Sequence, residues 1–368
     1  MAIVSNVRGQ GFVHPGVIHT QADLDRIRTK VAANEQPWAS GYAAFSADSR
    51  SSSTYSMQGP ASFIRRPAAG ETAYFLSQWE NDCGAAYQNA IRWIITGNTA
   101  YATKSRQILI GWASTCTLIT GGDARLTAGL QGHKFIAAAE ILRYGKSNGV
   151  VYSGWSASDT TTASNFIRNV LLPLNRMHGG GNWGIIGAIS QMSAGVFLDD
   201  TAEFNEGLNA IKYGSPIEAD MGIPNYIPPG GWTMEADRDI GHWALGVNNL
   251  TIGAHIAWCQ GIDLWTYQNN RLLVAQEYIN RYNNGNTVAY TAGVQADTLP
   301  NGNLTNIGRG RWDISCQEEA YYPYQHYFGI PAPETENAVT LTRAFFAGNT
   351  TITAEDGTVY SGWSLASI

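Results

Sequence analysis

Three stretches of the chain place polar side chains where chemistry could follow. The first, Gly230 to Leu250, reads GGWTMEADRDIGHWALGVNNL. As a helix starting near Thr233, it puts Glu235, Arg238, Asp239, His242 and Asn249 on one side. Ala236, Ile240, Trp243, Ala244 and Val247 fall on the other. Arg238 and His242 are one turn apart and can point at one ligand, with Glu235 a turn earlier to orient the arginine. The competing reading is a buried ion-pair network joining two helices.

The second stretch is MHGGGNWGIIGAIS, residues 177–190. Glycines let backbone approach a ligand closely, and a helix N-terminus favours an anion such as a carboxylate. Asn182 could donate its amide to that carboxylate, with Trp183 and His178 at its sides. The alternative is a plain N-cap behind a flexible loop. The third, RGRWDISCQEEAYYPYQHYFGI, residues 309–330, is the densest polar-aromatic segment and holds Arg309, Arg311, Tyr321, Tyr324 and His326. A tyrosine beside arginines can have its pKa lowered and serve as a base. Tyrosine is equally a good core residue with a wet end. Among the other histidines, His133 and His178 are candidates to line a cleft.

The elements that must carry these stretches read as helix after helix. Thr20 is the expected N-cap of a helix over TQADLDRIRTKVAAN, and Gly97-Asn98 ends the apolar helix NDCGAAYQNAIRWIITGN. Alternating strands are scarce, and a short hairpin is expected around Asp356-Gly357. Helical hairpins over some 300 residues, without a fixed repeat, fit an all-α fold. The expected form is an (α/α) toroid, or incomplete barrel, whose inner helices line a cleft. The expected division is a toroid domain over residues 1–335 and a short irregular tail over 336–368 packed on it.

Composition narrows the function. Charged residues are 14% and hydrophobic residues 44%, enough for a large core and unlike a disordered chain. A net charge of −6 argues against general nucleic-acid binding. It also requires a local basic cleft for any acidic substrate. No 18-residue apolar run marks a membrane span. Cys83, Cys116, Cys259 and Cys316 form no CxxC, and one or two disulfides are open to them.

The ordered set of motifs resembles the alginate-lyase superfamily. HPGVIHTQADLDRIRTKV, NDCGAAYQNAIRWIITGNTAYATKSRQILIGWA, AAAEILRYG, GNWG, EADRDIGHWALG and YPYQHY follow in the family order over roughly residues 13 to 330. The E-x-x-R-D-x-G-H helix looks closest to polysaccharide lyase family 38, and family 5 is more distant. The resemblance implies an (α/α) toroid that cleaves a uronic-acid polymer, alginate or glucuronan, by β-elimination. It implies no cofactor and no metal. An amide, arginine or histidine neutralises the C6 carboxylate and makes the C5 proton more acidic. A tyrosine or histidine removes that proton, and a tyrosine protonates the leaving oxygen.

Carried over by position, Asn182 matches the amide of the N-W segment, and Arg238 and His242 match the R-D-x-G-H helix. Tyr324 matches the first tyrosine of the family's Y-N-H-Y, with Gln325 in place of its asparagine. Tyr324 is thus the first choice for base and acid, and Tyr321 the second. His242 neutralises or acts as base. Glu235, Trp183, His178, His326 and Arg309 or Arg311 serve substrate binding. Trp183 stands where family 5 lyases carry a histidine, so that role is vacant. The partner implied is an anionic polysaccharide met by a secreted or periplasmic monomer, with no nucleic acid and no membrane. Two alternatives remain. A glycoside hydrolase would draw a carboxylate pair from Glu235, Asp237, Asp239, Glu318 and Glu319. A non-catalytic protein would bind uronate without cutting it.

Overall fold

The helices begin where short polar side chains take the first free N–H groups. Thr20 caps its helix in a capping box with Asp23, and Ser156 does the same with Asp159. Gly97 ends one helix in the left-handed region, φ 72°, and Asn98 caps the next by accepting from the Ala100 N–H. Both expected punctuation points therefore hold. The computed structural model describes residues 11–216, 219–235, 240–284, 286–290, 302–303, 317–346, 352–353 and 359–360.

Fourteen α-helices follow in these residues. They are α1 (Gln21–Ala32), α2 (Trp38–Ala47), α3 (Leu76–Thr96), α4 (Thr99–Thr115), α5 (Ala124–Tyr144), α6 (Ala157–Phe166) and α7 (Leu172–Asn175). Then come α8 (Gly181–Phe197), α9 (Thr201–Tyr213), α10 (Ile223–Tyr226), α11 (Ile240–Cys259), α12 (Tyr267–Asn283), α13 (Gln317–Tyr322) and α14 (Pro333–Phe346). The strands are two-residue or three-residue pairs at the periphery, such as Phe63–Arg65 beside Leu118–Thr120. No helix among the described residues is long and apolar enough to cross a membrane.

α3, α5, α8 and α11 pack one on the next, and α4, α7 and α9 lie outside them. The inner helices run the same way. A Cβ on Gly129 would strike Ile186, one on Gly132 would strike Ser190, and one on Gly253 would meet Ile189. The pairs advance together along α5, α8 and α11, which is parallel register. Glycine is needed at the first two points because the helices approach too closely for a side chain. Every residue of α8 but Trp183 is buried. This is the expected (α/α) toroid.

A buried carboxylate pins α3 to what surrounds it. Asp82 accepts from the Tyr55 hydroxyl (2.9 Å), the Gln58 and Gly59 N–H groups (3.0 and 2.9 Å) and the Trp112 indole (2.7 Å). Its charge is tolerated in the core because four donors solvate it.

The N-terminal segment crosses the ring at the C-terminal ends of the inner helices. Phe12 packs edge-on against Phe204 of α9. His14 stacks on Tyr144 at 4.2 Å and bonds Glu140 in the last turns of α5, and its other nitrogen reaches Asp199 at 3.0 Å. Gln260, just past α11, accepts from the Val13 N–H and donates to the Val13 and Gly16 carbonyls. His19 then meets the Tyr87 hydroxyl of α3.

Burial alone would lower the His14 pKa, but Glu140 and Asp199 outweigh it and the net shift is upward. Burial pushes Glu140 up as well, against the opposing pull of His14. A histidine raised on folding contributes stability that is complete below its ordinary value of 6.5. That contribution is lost as pH rises through the raised value. His14→Ala should therefore destabilise the fold by about 1–3 kcal/mol near pH 6. The gap in Tm from the native protein should narrow as the pH is raised, and a widening gap would refute the assignment.

Three expectations change. The helix read from Thr233 is described from Ile240, and Met234 and Glu235 form a turn, where the Glu235 N–H donates to the Thr233 hydroxyl. The expected division between residues 335 and 336 falls inside α14. That helix is capped by Glu277 of α12, whose carboxylate accepts from the N–H groups of Glu334 and Thr335. Cys83, Cys116 and Cys259 are buried free thiols, so no disulfide joins them; Cys316 lies outside the described residues. Ile352–Thr353 does pair antiparallel with Val359–Tyr360, as a hairpin about Asp356-Gly357 requires.

Candidate active site

At the N-terminal end of the inner helices lies a small apolar cluster apart from the main core. Leu126 and Leu130 of α5 and Ile186 of α8 form it, with Trp183 and Leu245 packed half-buried against it. Three polar residues flank it. Arg125 immediately precedes Leu126, Asn182 stands one turn before Ile186, and His242 stands one turn before Leu245. Side chains on a helix lean toward its N-terminus. The three groups, from three helices, therefore gather over one apolar floor at the same end of the ring.

Asn182 lies on the inward stripe of α8, with Ile186 one turn on and Ile189 two turns on, the latter against Gly253 of α11. It is fully buried, and neither its Oδ1 nor its Nδ2 has a hydrogen-bond partner among the described residues. Such a carboxamide is costly to fold around unless a ligand completes it. The helix terminus itself is less open than expected: the Gly181 N–H donates to Asp220 at 3.2 Å. An incoming carboxylate would meet the Asn182 amide, not a bare helix end. Entry needs side-chain movement at the mouth, where Trp183, Leu245 and His242 are the half-exposed residues.

Arg125 was not singled out in the sequence. Its guanidinium lies 5.4 Å over the Trp183 ring, a cation–π contact. The signal available was an arginine in the first turn of an otherwise apolar helix, which reads equally well as a solvated end. Tyr226 is a second addition. Its hydroxyl fills the space where a Cβ on Gly246 would stand, one turn past His242. Burial, then the nearby charge of Glu235, push its pKa well up. Glu235 is thus beside the site, though through Tyr226 and not along a helical stripe. His178 is buried at the head of the glycine loop, 2.7 Å from Gln191 Oε1. His133 lies farther down α5, bonded to the Gly129 carbonyl, and burial pulls its pKa down to about 3.

The tyrosine segment lies elsewhere. Tyr324 is fully buried, donates to the Trp265 carbonyl at 2.9 Å and sits edge-on to the Trp265 ring. Trp265 in turn packs on His255. His255 is thirteen residues beyond His242 on α11, about 20 Å along the axis. Tyr324 thus packs beside the half of α11 that lies away from His242. Burial also pushes Tyr324 up and not down, the reverse of what a base needs. Tyr321 is raised too, by burial and then by its bond to Glu336. His326 is exposed beside the Tyr322 ring at 4.5 Å. Tyr324 is thus a packed side chain in this segment, with Tyr321 half-buried and His326 exposed beside it.

Among the described carboxylates of the hydrolase alternative, Glu235 is separated from Glu318 and Glu319 for the same reason. Glu318 pairs with Arg343. The Glu319 carbonyl accepts from His255, whereas Glu235 precedes the other end of α11. A hydrolase pair needs about 5–10 Å. Arg238, Asp237, Asp239, Arg309 and Arg311 lie outside the described residues.

Comparison with known proteins agrees with this architecture. The family described as Alginate lyase matches residues 33–288, a span that holds Asn182 and His242 and stops short of the tyrosine segment. Comparison with curated protein sequences gives no match. Among solved structures, an alginate lyase from Bacteroides ovatus superposes with a TM-score of 0.62 at 12% identity, over 92% of this chain and 97% of that one. Alginate lyase A1-III from Sphingomonas species A1 superposes with a TM-score of 0.61 at 14% identity, over 97% and 99%. The family match covers well over half of the sequence, and the fold agrees along nearly its whole length: the chain belongs to the alginate lyase family and is a polysaccharide lyase.

Proposed function

We propose that the chain cleaves a 1,4-linked uronate polymer at the N-terminal mouth of the ring, with alginate rich in mannuronate as the first candidate and glucuronan as the second. The observation that carries this reading is the buried, unpartnered carboxamide of Asn182. It supplies two N–H donors where a C6 carboxylate would sit. Donors fixed there stabilise the enolate that forms when the C5 proton leaves. The His242 imidazole takes that proton. The electron pair moves to form the C4–C5 double bond, and the C4–O bond breaks. Where the C5–H and C4–O bonds share one face of the sugar, the same imidazolium returns its proton to the leaving oxygen. Arg238 is proposed as the second neutralising group, and Glu235, Trp183 and His178 as its surroundings.

The relatives named above are alginate lyases, which supports alginate as the first polymer to test. The E-x-x-R-D-x-G-H stretch supports a place near polysaccharide lyase family 38. The enzyme is proposed to work on such a polymer outside the cytoplasm, secreted or periplasmic, and as a monomer. Ultraviolet absorbance against poly-mannuronate, poly-guluronate and poly-glucuronate tests the reading. β-Elimination creates a conjugated double bond, so a rise is expected with at least one of them. New reducing ends with no rise in absorbance would sink it.

A further inference from the structure

We propose that Arg125, held over the indole of Trp183, binds the carboxylate of the uronate unit adjoining the one that loses its C5 proton. This rests on the lyase reading of the mouth. Arg125 is half-exposed, and among the described residues its guanidinium has the Trp183 ring as a neighbour and no carboxylate. Other arginines of the chain are paired with a carboxylate, as Arg50 is with Asp48, Arg106 with Asp159 and Arg343 with Glu318.

The position is built and not incidental. Gly179 leaves room for the stack, since a Cβ there would stand 3.0 Å from Trp183 Cβ and 3.6 Å from Arg125 Nη1. The ring holds the guanidinium by a cation–π contact, and the Arg125 N–H groups meet no carboxylate among the described residues. The edge of a guanidinium is what pairs with a carboxylate through two parallel hydrogen bonds. Trp183 directly follows Asn182, so the two anion-binding groups are neighbours on α8 and α5. Consecutive sugar carboxylates along a polymer would present one anion to each. The enzyme would then require charge at two adjoining units, not one.

The test compares wild type, Arg125→Gln and Arg125→Lys by ultraviolet assay on a uronate polymer that wild type cleaves, and on the same polymer partly methyl-esterified. Arg125→Gln should raise KM roughly tenfold to a hundredfold, the range of a charged hydrogen bond, with a much smaller change in kcat. Its KM should also depend less on salt. Arg125→Lys should fall between, because a lysine keeps the charge and loses the fork. On the esterified polymer the variants should differ less from wild type. An unchanged KM, a loss confined to kcat, or an equal loss on both polymers would overturn the proposal. Matching Tm values exclude misfolding, as expected for a half-exposed first-turn residue. If wild type gives no absorbance change with any uronate polymer, the lyase reading fails separately. Calorimetric binding of an oligouronate to wild type and Arg125→Gln then decides, and equal affinities, none included, overturn the subsite.

Discussion

Asn182→Leu should lower turnover about 100-fold to 1,000-fold, the usual effect of removing one donor from a site of developing negative charge. The same substitution should leave the protein as stable as before or more so. Asn182 is fully buried with both amide atoms unpartnered, and an unmet buried polar group costs about 1–3 kcal/mol. Leucine has a similar volume and removes the unmet group, so Tm should hold or rise. The two readouts together distinguish a functional amide from a structural one. A structural Asn182 would show the opposite pattern, with a fallen Tm and turnover lost only in proportion to unfolded protein. Trading stability for a poised group is common at active sites.

His242→Ala should cut kcat by about 100-fold to 10,000-fold, the range supplied by a positioned acid–base group. Oligouronate affinity measured by calorimetry should fall much less, because the imidazole is assigned to the proton and not to the carboxylate. Turnover near the wild-type rate would remove His242 from the chemistry. The next group to substitute would then be Tyr226, whose hydroxyl touches the same face of α11 one turn farther on. Its phenylalanine variant keeps the packing and deletes only the hydroxyl.

Local signals were legible in the sequence. Thr20, Gly97 and Asn98 fix helix ends through their own backbone and side-chain chemistry, and each acts where it was expected. The Asn182 and His242 stretches were legible because polar residues in apolar helices are conspicuous. The start of α11 was not. The pattern from Thr233 to Ile240 satisfies a helical period, yet Glu235 lies in a turn, its N–H on the Thr233 hydroxyl and its charge near Tyr226. Periodicity reports which residues would share a face, not whether the helix exists. The depth of Tyr324 was not legible for a related reason. A motif gives order along the chain, but depth along α11 is set by Trp265 and His255, which come from other segments. Arg125 was missed because its partner Trp183 is 58 residues away, and only the packing of α5 on α8 joins them.

The N-terminal segment gives the ring a direction. Phe12, His14, Gln260 and His19 stopper the end opposite the candidate site, tying α9, α5, α11 and α3 together. Among the described residues, that end of the ring is closed by packed side chains, so a polymer acted on at Asn182 and His242 would approach and leave from the N-terminal side of the inner helices.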